Sequence, residues 1–266
     1  MNVYISADIE GVTGVAHWDE ATHTKPDYAE FREQMTAEVV AACQGALAAG
    51  AENILIKDAH ATGRNILAGH LPPEARLVRG WSGHPLAMIQ ELDESFDALL
   101  FVGYHSGVAT GGNPLAHTMA SSRIAEFRIN GELTDEFMLH GYAARLYQVP
   151  TVFLSGDQAL CDHSRALIPA LETVAVKKGV GNSVVSIQPD LAVSRIREGV
   201  KHALKGDLSA GLFPAPDRFQ VDIRFTNTTF AYKASWYPGA RLLDDLTVRF
   251  ETTEYFEVMR FVLFIL

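Results

Sequence analysis

The stretch Val3-Tyr4-Ile5-Ser6-Ala7-Asp8-Ile9-Glu10-Gly11-Val12 decides how the rest of the chain is read. Its first residues are apolar or small and suit a short buried strand. The run then ends in two carboxylates one residue apart, followed by glycine. Side chains at i and i+2 of an extended chain point the same way, so Asp8 and Glu10 would project together from the C-terminal end of that strand. In open α/β sheets this is the end where ligands bind. Two carboxylates so close repel each other unless a cation sits between them. The plainer alternative is a solvated strand end in which Gly11 makes a turn, and the remainder of the chain decides between the two.

Outward from this strand, strand-like and helix-like runs alternate. Tyr28–Ala49 reads as a helix rich in Ala and Glu, ended by Gly50. Asn53–Lys57 reads as a strand leading into Asp58-Ala59-His60. Pro85–Leu92 reads as a short helix, and Ala98–Tyr104 as a buried strand ending at His105. Ile124–Ile129 alternates like a half-exposed strand and reaches Asn130-Gly131, a favoured hairpin dipeptide. Thr134–Tyr147 is amphipathic, with a threonine cap and acidic residues at its start. Val149–Leu154, Gln158–Ile168, Thr173–Lys177 and Pro189–Leu204 continue as strand, helix, strand and helix. Such alternation predicts an α/β fold, a mostly parallel sheet with helices on both faces. After Gly206 the texture changes. Pro214-Ala215-Pro216 breaks the pattern, and Phe219–Phe225, Thr229–Ala234 and Leu246–Glu251 read as shorter strands before a final helix from Thr253. Residues 1–206 are therefore expected to form the main α/β domain, which carries the strand ends considered below, and 207–266 a smaller α+β portion that packs against it.

Composition limits the function. The 266 residues are 48% apolar, enough for a sizeable core. The formal net charge of −10 argues against a nucleic-acid partner, which needs Lys and Arg for phosphate, and against an anionic membrane surface. The two cysteines, Cys43 and Cys161, are far apart and form neither a metal-type pair nor a disulfide framework. No charged-then-apolar leader opens the chain, and the apolar run Phe261–Leu266 is far too short to span a bilayer. A reducing cytoplasm is the expected location.

The strand ends carry the chemistry. The first ends in Asp8 and Glu10, the next in Asp58 and His60, and the third in His105 within Gly103-Tyr104-His105-Ser106-Gly107. A glycine-containing loop then leads to His117, and Glu136 opens a later helix. Neighbouring parallel strands bring their C-terminal ends to one rim, so these carboxylates and imidazoles would converge. A mixed set of this kind suits zinc or a similar first-row metal rather than magnesium. Five ligands drawn from this set, two or three carboxylates and two or three imidazoles, exceed what one catalytic zinc takes and would serve two metals sharing a carboxylate, an arrangement that polarises a carbonyl for hydrolysis. Taken singly, each residue has a duller reading. A histidine near a strand end is commonly structural, and an acid at a helix start commonly serves the helix dipole. His17, His23, His70, His84, His140, His163 and His202 lack comparable context and read as structural or surface residues. His140, one turn after Glu136, is the nearest neighbour among them.

Asp8-Ile9-Glu10-Gly11-Val12 also resembles the opening motif of haloacid-dehalogenase-like phosphatases, and Gly156-Asp157 resembles their late magnesium motif. Three features count against that reading. Glu10 stands where the pattern has Asp, no lysine lies between Lys57 and Lys177, and the histidines would be left without a role. Gly156-Asp157 then reads as a strand-to-helix turn in which Asp157 caps the following helix.

Taken together, the Asp-x-Glu-Gly start, Asp58-Ala59-His60, Gly103-Tyr104-His105, His117-Thr118-Met119, the segment Asn130–Glu136, Gly156-Asp157 and Val176-Lys177-Lys178 resemble the DppA-type zinc D-aminopeptidases over nearly the whole chain. The resemblance implies two zinc ions per chain bridged by Asp8, with Glu10, His60, His105 and Glu136 as the remaining ligands. It implies that His117 matches the residue acting as nucleophile. The chemistry of the residues alone leaves His117 open as nucleophile, general base or stabiliser of a tetrahedral intermediate. The match at Glu136 requires a small gap, so Glu132 and Asp135 remain substitutes. The expected function is release of the N-terminal residue, a D-amino acid, from short peptides by a homo-oligomer, a decameric ring with inward-facing sites. The alternatives are a magnesium phosphatase and a non-catalytic metal-binding assembly protein.

Overall fold

The computed structural model describes residues 1–266. In chain order its elements are β1 (Asn2–Ala7), α1 (Trp18–Ala21), α2 (Tyr28–Ala48), β2 (Asn53–Asp58), β3 (Ala75–Val78), β4 (Ala98–Tyr104), β5 (Ile124–Ile129), β6 (Glu132–Leu133) and α3 (Glu136–Arg145). They continue with β7 (Thr151–Asp157), α4 (Gln158–Leu167), β8 (Glu172–Val180), β9 (Ser183–Ser186), α5 (Pro189–Ala203), β10 (Phe219–Phe225), α6 (Thr228–Ala234), β11 (Arg241–Leu242), β12 (Thr247–Thr252) and α7 (Tyr255–Ile265).

Seven strands form one sheet in the order β3-β2-β1-β4-β7-β8-β9. All neighbours are parallel except β9, which returns antiparallel along β8. β1 lies between β2 and β4, so the chain leaves it to one side and later comes back to the other. That reversal opens a crevice at the C-terminal ends of these strands. β1, β4 and β7 are buried almost throughout, as strands covered on both faces must be. On one face Val3, Ile5, Ile54, Leu100 and Val102 pack against α2 and α5 through Met35, Val39, Cys43, Ile196 and Val200. On the other, Tyr4, Leu99, Phe101 and Leu154 share a core with α3, α7 and a second sheet. That sheet is antiparallel, in the order β11-β12-β10-β5-β6. The predicted α/β class with a mostly parallel sheet is the architecture observed.

Several elements differ from the sequence reading. Thr229–Ala234 reads as a strand because of its threonine and aromatic content, yet Thr228–Ala234 is helical. The Asn227 side chain accepts from the Phe230 N–H at 3.1 Å, and this cap decides the segment. Pro85–Leu92 reduces to one tight turn at Ala87–Ile89. The hairpin at Asn130-Gly131 forms, with Asn130 and Gly131 both at positive φ, but β5 enters the second sheet, where it pairs with β10. Residues upstream and downstream of 206 therefore share one sheet.

Candidate metal centre

Asp8, Glu10, His60 and His105 emerge where the central strands end. Asp8 is anchored as β1 ends, its N–H donating to the Val102 carbonyl at 2.9 Å. Two glycines make the packing possible. A Cβ on Gly103, which has φ +71°, would lie 2.3 Å from the Asp8 carbonyl oxygen, and one on Gly11 would lie 1.7 Å from that of Tyr104. The β2 exit is held by Asp58, whose carboxylate accepts from the Asn65 side chain at 2.7 Å and the Ile66 N–H at 2.8 Å. Asn65 also donates to the His60 carbonyl at 2.8 Å, so the loop carrying His60 closes on a buried hub.

Glu136 arrives from the first turn of α3. The helix is capped by Asp135, whose Oδ1 accepts from the Met138 N–H at 2.7 Å, rather than by Thr134. The two alternatives to Glu136 lie elsewhere: Asp135 turns its other oxygen to His163 at 2.9 Å, and Glu132 is exposed on β6. Glu136 Oε1 accepts from the Met119 N–H at 2.7 Å, and Met119 holds a left-handed φ of +64° to present it.

The buried side chains meet in overlapping clusters. One ligand atom from each of Asp8, Glu10 and His60 lies within 4.8 Å of the others, and the same holds for Asp8, His105 and Glu136, and for Glu10, His105 and His117. The two oxygens of Asp8 face different imidazoles: Oδ1 is 3.2 Å from His60 Nδ1, and Oδ2 is 3.5 Å from His105 Nε2. His60 Nδ1 lies 2.9 Å from Glu10 Oε2, His105 Nε2 lies 3.4 Å from Glu136 Oε2, and His117 Nε2 lies 3.7 Å from Glu136 Oε1. Each imidazole has its far nitrogen on a backbone carbonyl: His60 Nε2 on Ala21 at 2.7 Å, His105 Nδ1 on Ser106 at 3.0 Å and His117 Nδ1 on Leu115 at 2.8 Å. A carbonyl only accepts, so those nitrogens carry the protons, and the nitrogens facing the carboxylates are left as ligand lone pairs.

Two further observations fit a cation. Glu10 Oε2 and His105 Nε2 are buried without a hydrogen-bond partner. The 2.9 Å approach of His60 to Glu10 is short but lacks hydrogen-bond alignment, as expected of two ligands facing a common third atom. Electrostatics agree. Burial, and then the charge of Glu10, push the Asp8 carboxyl up to about 6. Burial opposes the charged forms of Glu10 and Glu136 as well. The nearby imidazoles outweigh it, holding Glu10 well below the usual carboxylate range and Glu136 at about 2. Burial likewise disfavours charge on His60 and His105, yet the carboxylates overcome it and raise both. A metal would replace the protons that such a pocket draws in.

The site opens into a cavity of about 270 Å³ whose other walls include Trp18, Ala61, Trp81, Met88, Met119 and Ser121. His117 stacks on His105 at 4.3 Å and takes the edge of Trp18 at 5.3 Å. Lys57, pushed down to about 8 by burial, lies 3.9 Å over the Trp81 ring. A larger cleft of about 520 Å³ adjoins Ser106, Asp135 and His163. It holds none of the clustered carboxylates and imidazoles, most of which line the smaller cavity.

Trp18, Trp81 and Asn65 act through tertiary contacts and carry no local signal, and Met119 is legible only within the run His117-Thr118-Met119, without its role. His140 lies within α3, fully buried with Nδ1 on the Glu136 carbonyl at 2.8 Å, and burial lowers it; it belongs to none of the clusters. Asp157 is likewise buried. It caps α4 through the Leu160 N–H at 2.9 Å and accepts from the Ser106 N–H at 2.7 Å, which leaves the phosphatase reading without its late metal ligand.

A buried set of carboxylates and imidazoles at the topological switch of an α/β sheet marks a metallohydrolase. The model of the peptidase family M55, D-aminopeptidase, matches residues 1–264, and the chain belongs to that family. It is a hydrolase of the metallo-aminopeptidase class. A D-aminopeptidase of Bacillus subtilis (strain 168) is 30% identical over 259 residues, spanning 97% of this chain and 93% of its own. The solved structure of the Zn-dependent D-aminopeptidase DppA from Bacillus subtilis, described as a self-compartmentalizing protease, superposes with a TM-score of 0.92 at 30% identity. That match covers 100% of this chain and 96% of the other.

Proposed function

We propose that this protein is a zinc-dependent D-aminopeptidase that removes the N-terminal residue from short peptides at a dinuclear centre. The observation that carries the reading is Asp8, whose two oxygens face two separate triads, one with Glu10 and His60 and the other with His105 and Glu136. In this reading Asp8 with Glu10 and His60 would hold one zinc ion, and Asp8 with His105 and Glu136 would hold a second. The mixed nitrogen and oxygen donors suit zinc. Bound there, zinc supplies Lewis-acid polarisation of the scissile carbonyl.

His117 is the catalytic residue. Its Nδ1–H is tied to the Leu115 carbonyl, so the Nε2 lone pair is free on the cavity side. A base that takes a proton and a nucleophile that attacks the carbonyl use the same lone pair. Stacking on His105 and the edge of Trp18 fix the ring plane. Acting as the base, Nε2 would take a proton from the attacking water and return it to the amine that leaves when the C–N bond breaks. The preference for D-residues rests on the relatives, as does assembly into a closed homo-oligomer, which the resemblance sets at ten chains. Two buried free thiols, Cys43 and Cys161, suit a reducing cytoplasm.

Elemental analysis of protein purified without chelators tests the reading: about two zinc ions per chain are expected, followed by release from D- rather than L-peptides in a matched panel. One metal per chain, or two with no hydrolysis of any peptide, overturns it. Asp8→Ala is expected to lose both metals, and a variant that kept full metal and activity would sink the bridged scheme.

A further inference from the structure

Within the dinuclear reading, on which this inference rests, the two metal sites are anchored in different ways. Asp8 is fixed by the sheet itself, through its backbone bond to Val102 and a local bond from the Ile9 N–H to Oδ1 at 2.8 Å. Glu10 lies beyond the end of β1. Its peptide carbonyl is held by two side chains from distant parts of the chain. One is the Nδ2 of Asn113 at 3.0 Å, and the other is the ammonium of Lys177 on β8. Lys177 is only 3% exposed, and its second bond, at 2.7 Å, goes to the carbonyl of Val15. Its ammonium therefore grips the two ends of the loop from Glu10 to Val15. Both acceptors are peptide carbonyls, not carboxylates, so the charge is buried without a direct counter-ion. That is a costly arrangement, which a hydrophobic residue of similar length would avoid. Asn113 is tied in turn to Asp157, at 3.2 Å, which also holds Ser106 beside His105.

We propose that Lys177 is a positioning residue that aims the Glu10 carboxylate at its metal. Through the Glu10 carbonyl it sets the affinity of the Glu10–His60 site and leaves the His105–Glu136 site largely alone. Asn113 shares the task at the same oxygen. Burial pushes the Lys177 ammonium down to about 8, and the charges of Asp157, Glu38 and Glu10 oppose that.

Zinc titration of the metal-free full-length protein tests this, using a competing chelator for affinity and histidine side-chain NMR to follow His60 and His105 separately. Lys177→Met keeps the apolar stem and removes both donors. It is expected to weaken the site reported by His60 by about 10- to 100-fold, the usual effect of losing a partner that orients a metal ligand. The site reported by His105 should change less than about twofold against that scale. Equal weakening at both sites, or none at either, overturns the proposal, because a lysine that merely stabilises the fold would not discriminate between them. Should Lys177→Met fail to fold, Asn113→Ala is read in the same way, with a smaller loss at His60 alone expected and an equal or absent loss overturning it. A wild-type protein that binds a single zinc, or in which His60 and His105 respond as one site, overturns the dinuclear reading first and this proposal with it.

Discussion

Replacing His117 by alanine separates holding a metal from using it. His117 belongs to one of the three ligand clusters, yet it stands outside both triads that share Asp8. Its loss is expected to cut kcat by about 10² to 10⁴, the range for a positioned acid–base group, while elemental analysis still finds both metals. Loss of a metal in that variant would make His117 a ligand. The residues of this site divide by how their signal is written in the chain. Asp8, Glu10, His60 and His105 are legible because each lies within three residues of a strand's C-terminal end, where the topology of a parallel sheet forces convergence. Glu136 is ambiguous among three nearby acids, and only the cap geometry of α3 sends Asp135 toward His163 and Glu136 inward. Asn113, Trp18 and Trp81 are not legible, and Lys177 is legible only as part of the run Val176-Lys177-Lys178, with no role attached to it. They sit within strands or loops of ordinary composition, and their roles come from partners more than sixty residues away in most cases.

At the scale of elements, the turn after β1 is the tightest constraint. Gly11 donates its N–H to the Gly103 carbonyl at 2.8 Å, and no side chain fits between that turn and β4. Gly11→Ala is expected to cost about 3 kcal/mol or more through backbone displacement, read as a lowered melting temperature, and to reduce bound metal because Glu10 moves with the turn. A variant with wild-type stability and metal content would refute that account. The start of α3 allows a milder test. His163 is raised by its hydrogen bond to Asp135, although burial opposes this. A histidine with a raised folded-state pKa stabilises the fold fully below its unfolded value, near pH 6.5, and loses that contribution as pH climbs through the raised value. The side chain is 44% exposed, so solvent screens the pair and the contribution is about a few tenths of a kcal/mol. His163→Gln should therefore lower the urea midpoint slightly at pH 6 and not at pH 9. An equal loss at both values would assign the effect to packing instead of charge. The same scale explains the misread segment at Thr228–Ala234. Threonine and aromatic side chains favour strands only where a pleated surface receives them, and here a capping asparagine sets the helix first.

For the whole molecule, the organisation follows from where β5 goes. The periodicity of Ile124–Ile129 shows a half-buried strand but not its partner, because pairing is decided by residues nearly a hundred positions later. β10 supplies that partner, with Val221 opposite Ile129 and Ile223 opposite Phe127. The inner face of this second sheet joins Phe127, Val221, Val248 and Phe250 to Tyr4, Phe101 and Leu154 of the large sheet in one continuous core. α7 closes the same core through Tyr255, Met259 and Phe261, and the Tyr255 hydroxyl donates to the Leu139 carbonyl of α3 at 2.6 Å. The helix that presents Glu136 is therefore braced from the C-terminal end of the chain. A protein ending at residue 206 would leave β5 without its neighbour and strip one face of α3, exposing Phe127, Ile129 and Phe137 together. Such a truncation is expected to show no cooperative melt and no metal binding, whereas the full chain should unfold in a single transition, with near-ultraviolet circular dichroism and tryptophan fluorescence coinciding. Cooperative melting of residues 1–206 with bound metal would mean that the large sheet folds alone and that the second sheet only decorates it. Separate transitions in the full chain would mean the same, since a core shared by both sheets cannot be lost in two steps.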